Sequence, residues 1–213
     1  MNLDHGSLVR AFAGQADVVT AIIDGFDELT GPTRLSGWTV RILVGHVTSA
    51  VEALWRWQAP APAEGAITLD AVDYWTAVAT AADVNDQWAT AYAATRTDEG
   101  LRSGLVAALE RGATVVAETE PWSTVVLPAS TISIAFDQFV ATRLVELVVH
   151  GLDLVAAGGA EVAPDPGALG IVAAILEARL TGDRPADLAD DVAWVEAACG
   201  RTDHADERLP VLA

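Results

Sequence analysis

Between about Ser133 and Ala157 the chain carries a helix-length run that is apolar nearly all round, built on Leu144, Val145, Leu147, Val148, Val149, Leu152 and Leu154. The exception is one polar stripe. At about 100° per residue, Arg143, Glu146, His150 and Asp153 fall along a single line of this helix. A helix so apolar belongs inside a bundle of other helices, and its buried ionisable groups must find partners. Glu146 and His150, at i and i+4, bring a carboxylate oxygen and an imidazole nitrogen together over one turn, as in helical zinc and di-iron sites. One helix thus offers two metal ligands.

His46 is the best candidate for a third, because Thr39, Ile42, Leu43, Ala50, Ala53 and Trp57 share its face and look core-facing. Val44, Val47, Val51 and Trp55 make the opposite side apolar too, so periodicity alone leaves two roles open for His46, ligand or ordinary core histidine. Arg143 and Asp153 carry a similar pair of alternatives. Either Arg143 neutralises Glu146 or Asp153 in a buried ion-pair network, or the two residues hold a ligand's carboxylate or imidazole tautomer in place.

The remaining pattern is all-α with one interruption. A first helix is expected over about residues 5 to 29, capped by Asp4 and ended by Gly31-Pro32. A second starts near Trp38 and runs to the Pro60-Ala61-Pro62 break, an exposed linker. A third spans about Asp70 to Ala94 and a fourth about Asp98 to Glu118. Residues 121–134, with Trp122 to Leu127 and then Thr131 to Ile134, are β-branched around a turn and predict a short β-hairpin or extended loop. The polar-striped helix closes at Gly158-Gly159, and two extra short helices follow, Gly167 to Leu180 and Ala189 to Cys199, before a tail that packs back on the bundle. The expected organisation is a single domain over residues 1–213, with the bundle core at about 5–158 and the C-terminal helices and tail at 159–213.

Charge and composition exclude some partners. A formal net charge of −18 repels phosphate backbones and anionic lipid surfaces, so neither nucleic acid nor a membrane is expected as a partner. Each long apolar stretch is broken by charge, and no window reads as a membrane span. The first ten residues lack the basic and then apolar regions of a signal peptide, which gives a cytoplasmic expectation. Cys199 is the only cysteine, so an intrachain disulfide and a cysteine-rich zinc site are both excluded. It sits on an Ala-rich segment with Trp194 and reads as a small buried filler; His5 and His204, in polar terminal segments, read as solvated. A thiol taking part in chemistry would come from outside the chain.

The stretch Ser36-Gly-Trp-Thr-Val-Arg-Ile-Leu-Val-Gly-His46-Val resembles the helix-two signature of the mycothiol-dependent maleylpyruvate isomerase family within the DinB-like superfamily. Arg143-Leu-Val-Glu146-Leu-Val-Val-His150-Gly-Leu-Asp153-Leu-Val-Ala resembles that family's metal helix, and the two motifs are correctly separated for its bundle. Cys199-Gly-Arg and Leu209-Pro-Val-Leu are similar to its closing segments. The resemblance implies a DinB-like four-helix bundle in which His46, Glu146 and His150 bind a divalent metal, with mycothiol as co-substrate. Ile42 departs from the family, standing where an acidic residue is frequent. The isomerase proper is similar to a longer two-domain protein whose C-terminal domain contributes to catalysis, whereas short helices and a tail are expected here.

From these features the leading expectation is a metal- and thiol-dependent transferase or isomerase acting on a small electrophilic substrate, as a monomer or homodimer. A metal-dependent enzyme using water or an oxygen-rich substrate, and a non-catalytic metal-binding or ligand-binding bundle, are the alternatives. Zinc suits two imidazoles and a carboxylate best, and iron, nickel and manganese accept the same donors. Trp55, Trp57, Trp75 and Trp88 are candidate walls of an apolar pocket beside the metal.

Overall fold

In the computed structural model, which describes residues 4–61, 66–79, 82–128 and 130–212, four long helices form the bundle. These are α1 (His5–Asp24), α2 (Val40–Arg56), α5 (Asp98–Glu118) and α6 (Phe136–Ala156). Helices α1 and α2 each pack against both α5 and α6, so the four occupy the corners of a square with α6 between α1 and α2. Apolar residues on all four, among them Phe12, Leu54, Leu105 and Phe139, are fully buried in its centre. Helix α7 (Pro166–Arg179) packs on α1 and α6, and α8 (Asp191–Ala198) packs on α7. The shorter α3 (Tyr74–Val78) and α4 (Ala82–Ala94) precede α5, with α4 against α2. The fold is an all-α, DinB-like bundle carrying a small β element.

The caps follow from the sequence. Asp4, Thr97, Asp165 and Asp190 each accept a backbone N–H three residues on, at the starts of α1, α5, α7 and α8. Helix α1 ends at Asp24, five residues earlier than the sequence predicts. There Gly25 caps the last turn, and a Cβ on it would come within 2.5 Å of the Ala160 backbone nitrogen, so the chain can cross here only as glycine.

The hairpin expected at 121–134 forms from β3 (Thr124–Val126) and β4 (Ile132–Ala135), paired antiparallel. It is larger than predicted. β1 (Gln58–Ala59) adds antiparallel to β3, and β2 (Ile67–Leu69) adds parallel to β4, giving the order β1-β3-β4-β2. Strands therefore flank the Pro60-Ala61-Pro62 break: β1 takes residues expected to end the second helix, and β2 immediately precedes the expected start of the third; residues 62–65 lie outside the described residues. Because Ala135 still pairs with Thr124, α6 begins at Phe136 rather than Ser133. The predicted third helix is also divided. Asp70 accepts the backbone N–H groups of Val72 and Asp73, a side-chain turn that delays helix formation to Tyr74.

Two further readings change. By length and composition alone α1 is apolar enough to cross a bilayer, contrary to the expectation that no window would be, and in the bundle Leu8, Phe12, Val19, Ile22 and Ile23 on it are buried. His5 is not merely solvated: its Nδ1 lies 2.8 Å from Asp137 Oδ1 on α6, and His204 similarly meets Asp187 at 3.2 Å.

Gly112 sets how closely α5 approaches its neighbours. A Cβ there would lie 2.9 Å from Val51 Cγ1 and 3.1 Å from Phe12 Cζ, so Gly112→Ala must push α5 from both α1 and α2. Overpacking of this kind costs about 1–3 kcal/mol. A lower urea midpoint at unchanged slope is the expected result.

Candidate metal centre and its cavity

Helix α2 lies against α6 so that His46 faces the polar stripe directly. His46 Nε2 is 3.0 Å from Glu146 Oε2, and His150 Nε2 is 3.2 Å from the same oxygen. The three side chains are between 12% and 15% exposed. One donor atom from each residue lies within 4.8 Å of the others. With metal–ligand bonds of about 2.0–2.1 Å, adjacent ligands of a tetrahedral ion stand about 3.3 Å apart. The oxygen-to-nitrogen separations are close to that edge, and nitrogen, nitrogen and oxygen are the donors such an ion takes. The residues fit a divalent metal, and the open side of the triad leaves room for an outside ligand.

Asp153 takes the role of orienting His150. Its Oδ2 lies 2.9 Å from His150 Nδ1, which leaves Nε2 aimed at Glu146. Asp153 is fully buried and is held in turn by two arginines that no sequence spacing links to it. Arg34 Nε donates to Oδ1 at 2.6 Å, and Arg201 donates from Nε and Nη2 to both oxygens at 2.9 and 3.1 Å. Arg34 comes from the loop before α2 and Arg201 from the segment after α8, so the sequence offers no periodic signal that joins them. Trp38, at the head of α2, packs edge-on against His46 with ring centroids 5.2 Å apart and lies nearly parallel to His150 at 6.5 Å. It covers one side of the imidazole pair.

Arg143 does not do what the stripe suggested. Its guanidinium forms no ion pair with Glu146, Asp153 or any other described carboxylate; it donates to the Tyr74 hydroxyl at 2.8 Å and to Thr142 Oγ1 at 3.1 Å. It also lies 4.5 Å from the Phe139 ring centroid. Sharing a helix line with Glu146 fixes only the side on which the chain emerges, and the aromatic neighbours draw the long side chain away.

Burial opposes charge on Glu146, but the two imidazoles facing it hold its carboxyl well below the usual range. Burial likewise opposes charge on His150, yet the hydrogen bond to Asp153 and the Glu146 carboxylate raise it to about 9. In the metal-free chain the folded state therefore binds this proton more tightly than the unfolded state does. That contribution to stability is complete below about pH 6.5 and is lost as pH rises through about 9. Urea titrations of chelated protein between these values are expected to show the decline, and a flat profile would contradict it.

A cavity of about 330 Å³ opens beside the triad, lined by His46 and Glu146 and walled by Trp57, Tyr74, Trp75 and Trp88. Three of the four candidate tryptophans line it. Trp55 does not; its ring instead stacks beneath Arg111, 4.4 Å from ring centroid to guanidinium carbon. Cys199 is buried as expected, and burial pushes its thiol up to about 12, which leaves it no part as a nucleophile. No curated protein and no solved structure matches the chain. Residues 9–155, which include all three candidate ligands, match the family model described as the mycothiol maleylpyruvate isomerase N-terminal domain.

Proposed function

The chain belongs to the mycothiol maleylpyruvate isomerase N-terminal domain family, and on that premise we propose that it is a metal-dependent enzyme that uses mycothiol on a small electrophilic substrate, by transfer or by isomerisation. The observation that carries this reading is the convergence of His46, Glu146 and His150 beside a cavity that His46 and Glu146 line and that has aromatic walls. His46, Glu146 and His150 would hold a divalent metal, zinc being the best match to this donor set, and the metal would supply a position for an outside thiol and favour ionisation of a group whose free pKa is about 8.5.

The chain's own residues supply the rest. Asp153 fixes the His150 tautomer so that Nε2 is the free donor, while Glu146 brings the negative charge that offsets part of a dication's. Trp38 shields the imidazoles from water on one side, and the aromatic walls offer an apolar bed for the electrophile. The buried Cys199 cannot supply the nucleophile, which accords with a thiol delivered in solution.

Calorimetry of mycothiol into metal-loaded and chelated protein tests the proposal. Binding to the loaded form that disappears on chelation is the expected result. Failure of the loaded form to bind the thiol would sink the thiol half and favour an enzyme acting on water or an oxygen-rich substrate, or a binding bundle.

A further inference from the structure

Arg143 is 3% exposed, stands one helical turn before Glu146 and lines the same cavity. Among the described residues it has no anionic partner. Its hydrogen bonds go to two hydroxyl oxygens, from Tyr74 and Thr142, and its charge rests against the faces of Phe139 and Tyr74, 4.5 and 5.3 Å away. Burying a cation without a counter-ion costs several kcal/mol, a cost recovered when an anion reaches it from the cavity. A second donor stands in the same wall. Trp75 Nε1 is buried with no hydrogen-bond acceptor among the described residues, although a buried indole N–H ordinarily finds one. Arg56, the other cation lining the cavity, is already paired with Glu52 and half exposed.

We propose that Arg143 is the specificity-determining residue of this cavity, binding a carboxylate of the small electrophile while the Tyr74 hydroxyl holds the guanidinium in place. The inference rests on reading the cavity as the substrate site. It adds a buried cationic anchor to a mostly apolar cavity, one turn from Glu146, and so fixes which end of the substrate faces the metal. A planar guanidinium matches a carboxylate's two oxygens, and a neutral group of the same shape leaves the charge unpaired. Trp75 Nε1, buried and without an acceptor among the described residues, is a further donor in the same wall.

The test compares benzoate with benzamide, two flat ligands of nearly equal size, by calorimetry and by quenching of the cavity tryptophans. Wild-type protein is expected to prefer benzoate at least tenfold; equal binding of the two overturns the proposal. The preference is expected to survive His150→Ala, which strips the metal site, and to collapse in Arg143→Met. The opposite pattern, loss with His150→Ala and retention in Arg143→Met, would place the carboxylate on the metal and overturn the assignment. Should Arg143→Met fail to fold, Tyr74→Phe reads the same preference, with a severalfold fall expected and no change counting against the proposal. Because metal content is measured separately on each variant, failure of the anion site and failure of the metal reading give different results.

Discussion

Asp153→Ala is expected to destabilise the fold by about 3–5 kcal/mol, the cost of leaving a buried charge cluster without its counter-ion. Asp153 has no solvent-exposed surface and receives hydrogen bonds from Arg34, Arg201 and the His150 ring. Among the described residues Arg34 would keep only Glu196 as a carboxylate partner, and Arg201 only the Cys199 carbonyl. The same substitution frees the His150 ring to turn, so metal affinity is expected to fall about 10–100-fold, the range for losing a group that orients a ligand. Urea denaturation and a competitive metal titration measure the two effects. A loss under about 1 kcal/mol would show that the arginines are solvated well enough without Asp153. Asp153→Asn, which keeps the shape and removes the charge, is expected to separate the two readouts by retaining more stability than affinity.

Glu146→Gln is expected to abolish stoichiometric metal binding. Glu146 Oε2 is the one anionic atom among the three converging donors, and both imidazoles face it. An amide oxygen is a much weaker ligand than a carboxylate for zinc and its neighbours, so metal content is expected to fall from about one ion per chain to under about a tenth. The carboxylate also helps keep the His150 proton in the metal-free chain, so the raised His150 value of about 9 is expected to fall toward the ordinary range. Elemental analysis of purified protein and NMR titration of the imidazole measure these outcomes. Undiminished metal content would show that the ion is held elsewhere.

Much of this site is legible in the sequence. The apolar surround of α6 forces its polar stripe to be shared with a neighbouring helix, and the spacing of Glu146 and His150 sets their atoms on one line. The small sheet was less so. β2 has only three residues, too few for alternation to register, and it exists because β4 offers a parallel edge to it. The delayed start of α3 comes from the side chain of Asp70, a local hydrogen bond that helical periodicity does not encode.

Which residues could become ligands follows from local pattern, since helical period is a local property and the i,i+4 relation survives whatever the helix packs against. Packing of the helices and loops set whom each would meet. It turned His46 toward Glu146, gave Asp153 two arginines from distant loops, and took Arg143 from its expected carboxylates to Tyr74 and the cavity. The physical reason is the range of the forces. Backbone geometry acts over a few residues, whereas the partner of a buried charge is chosen by which distant segment lies within about 3 Å once the helices have packed.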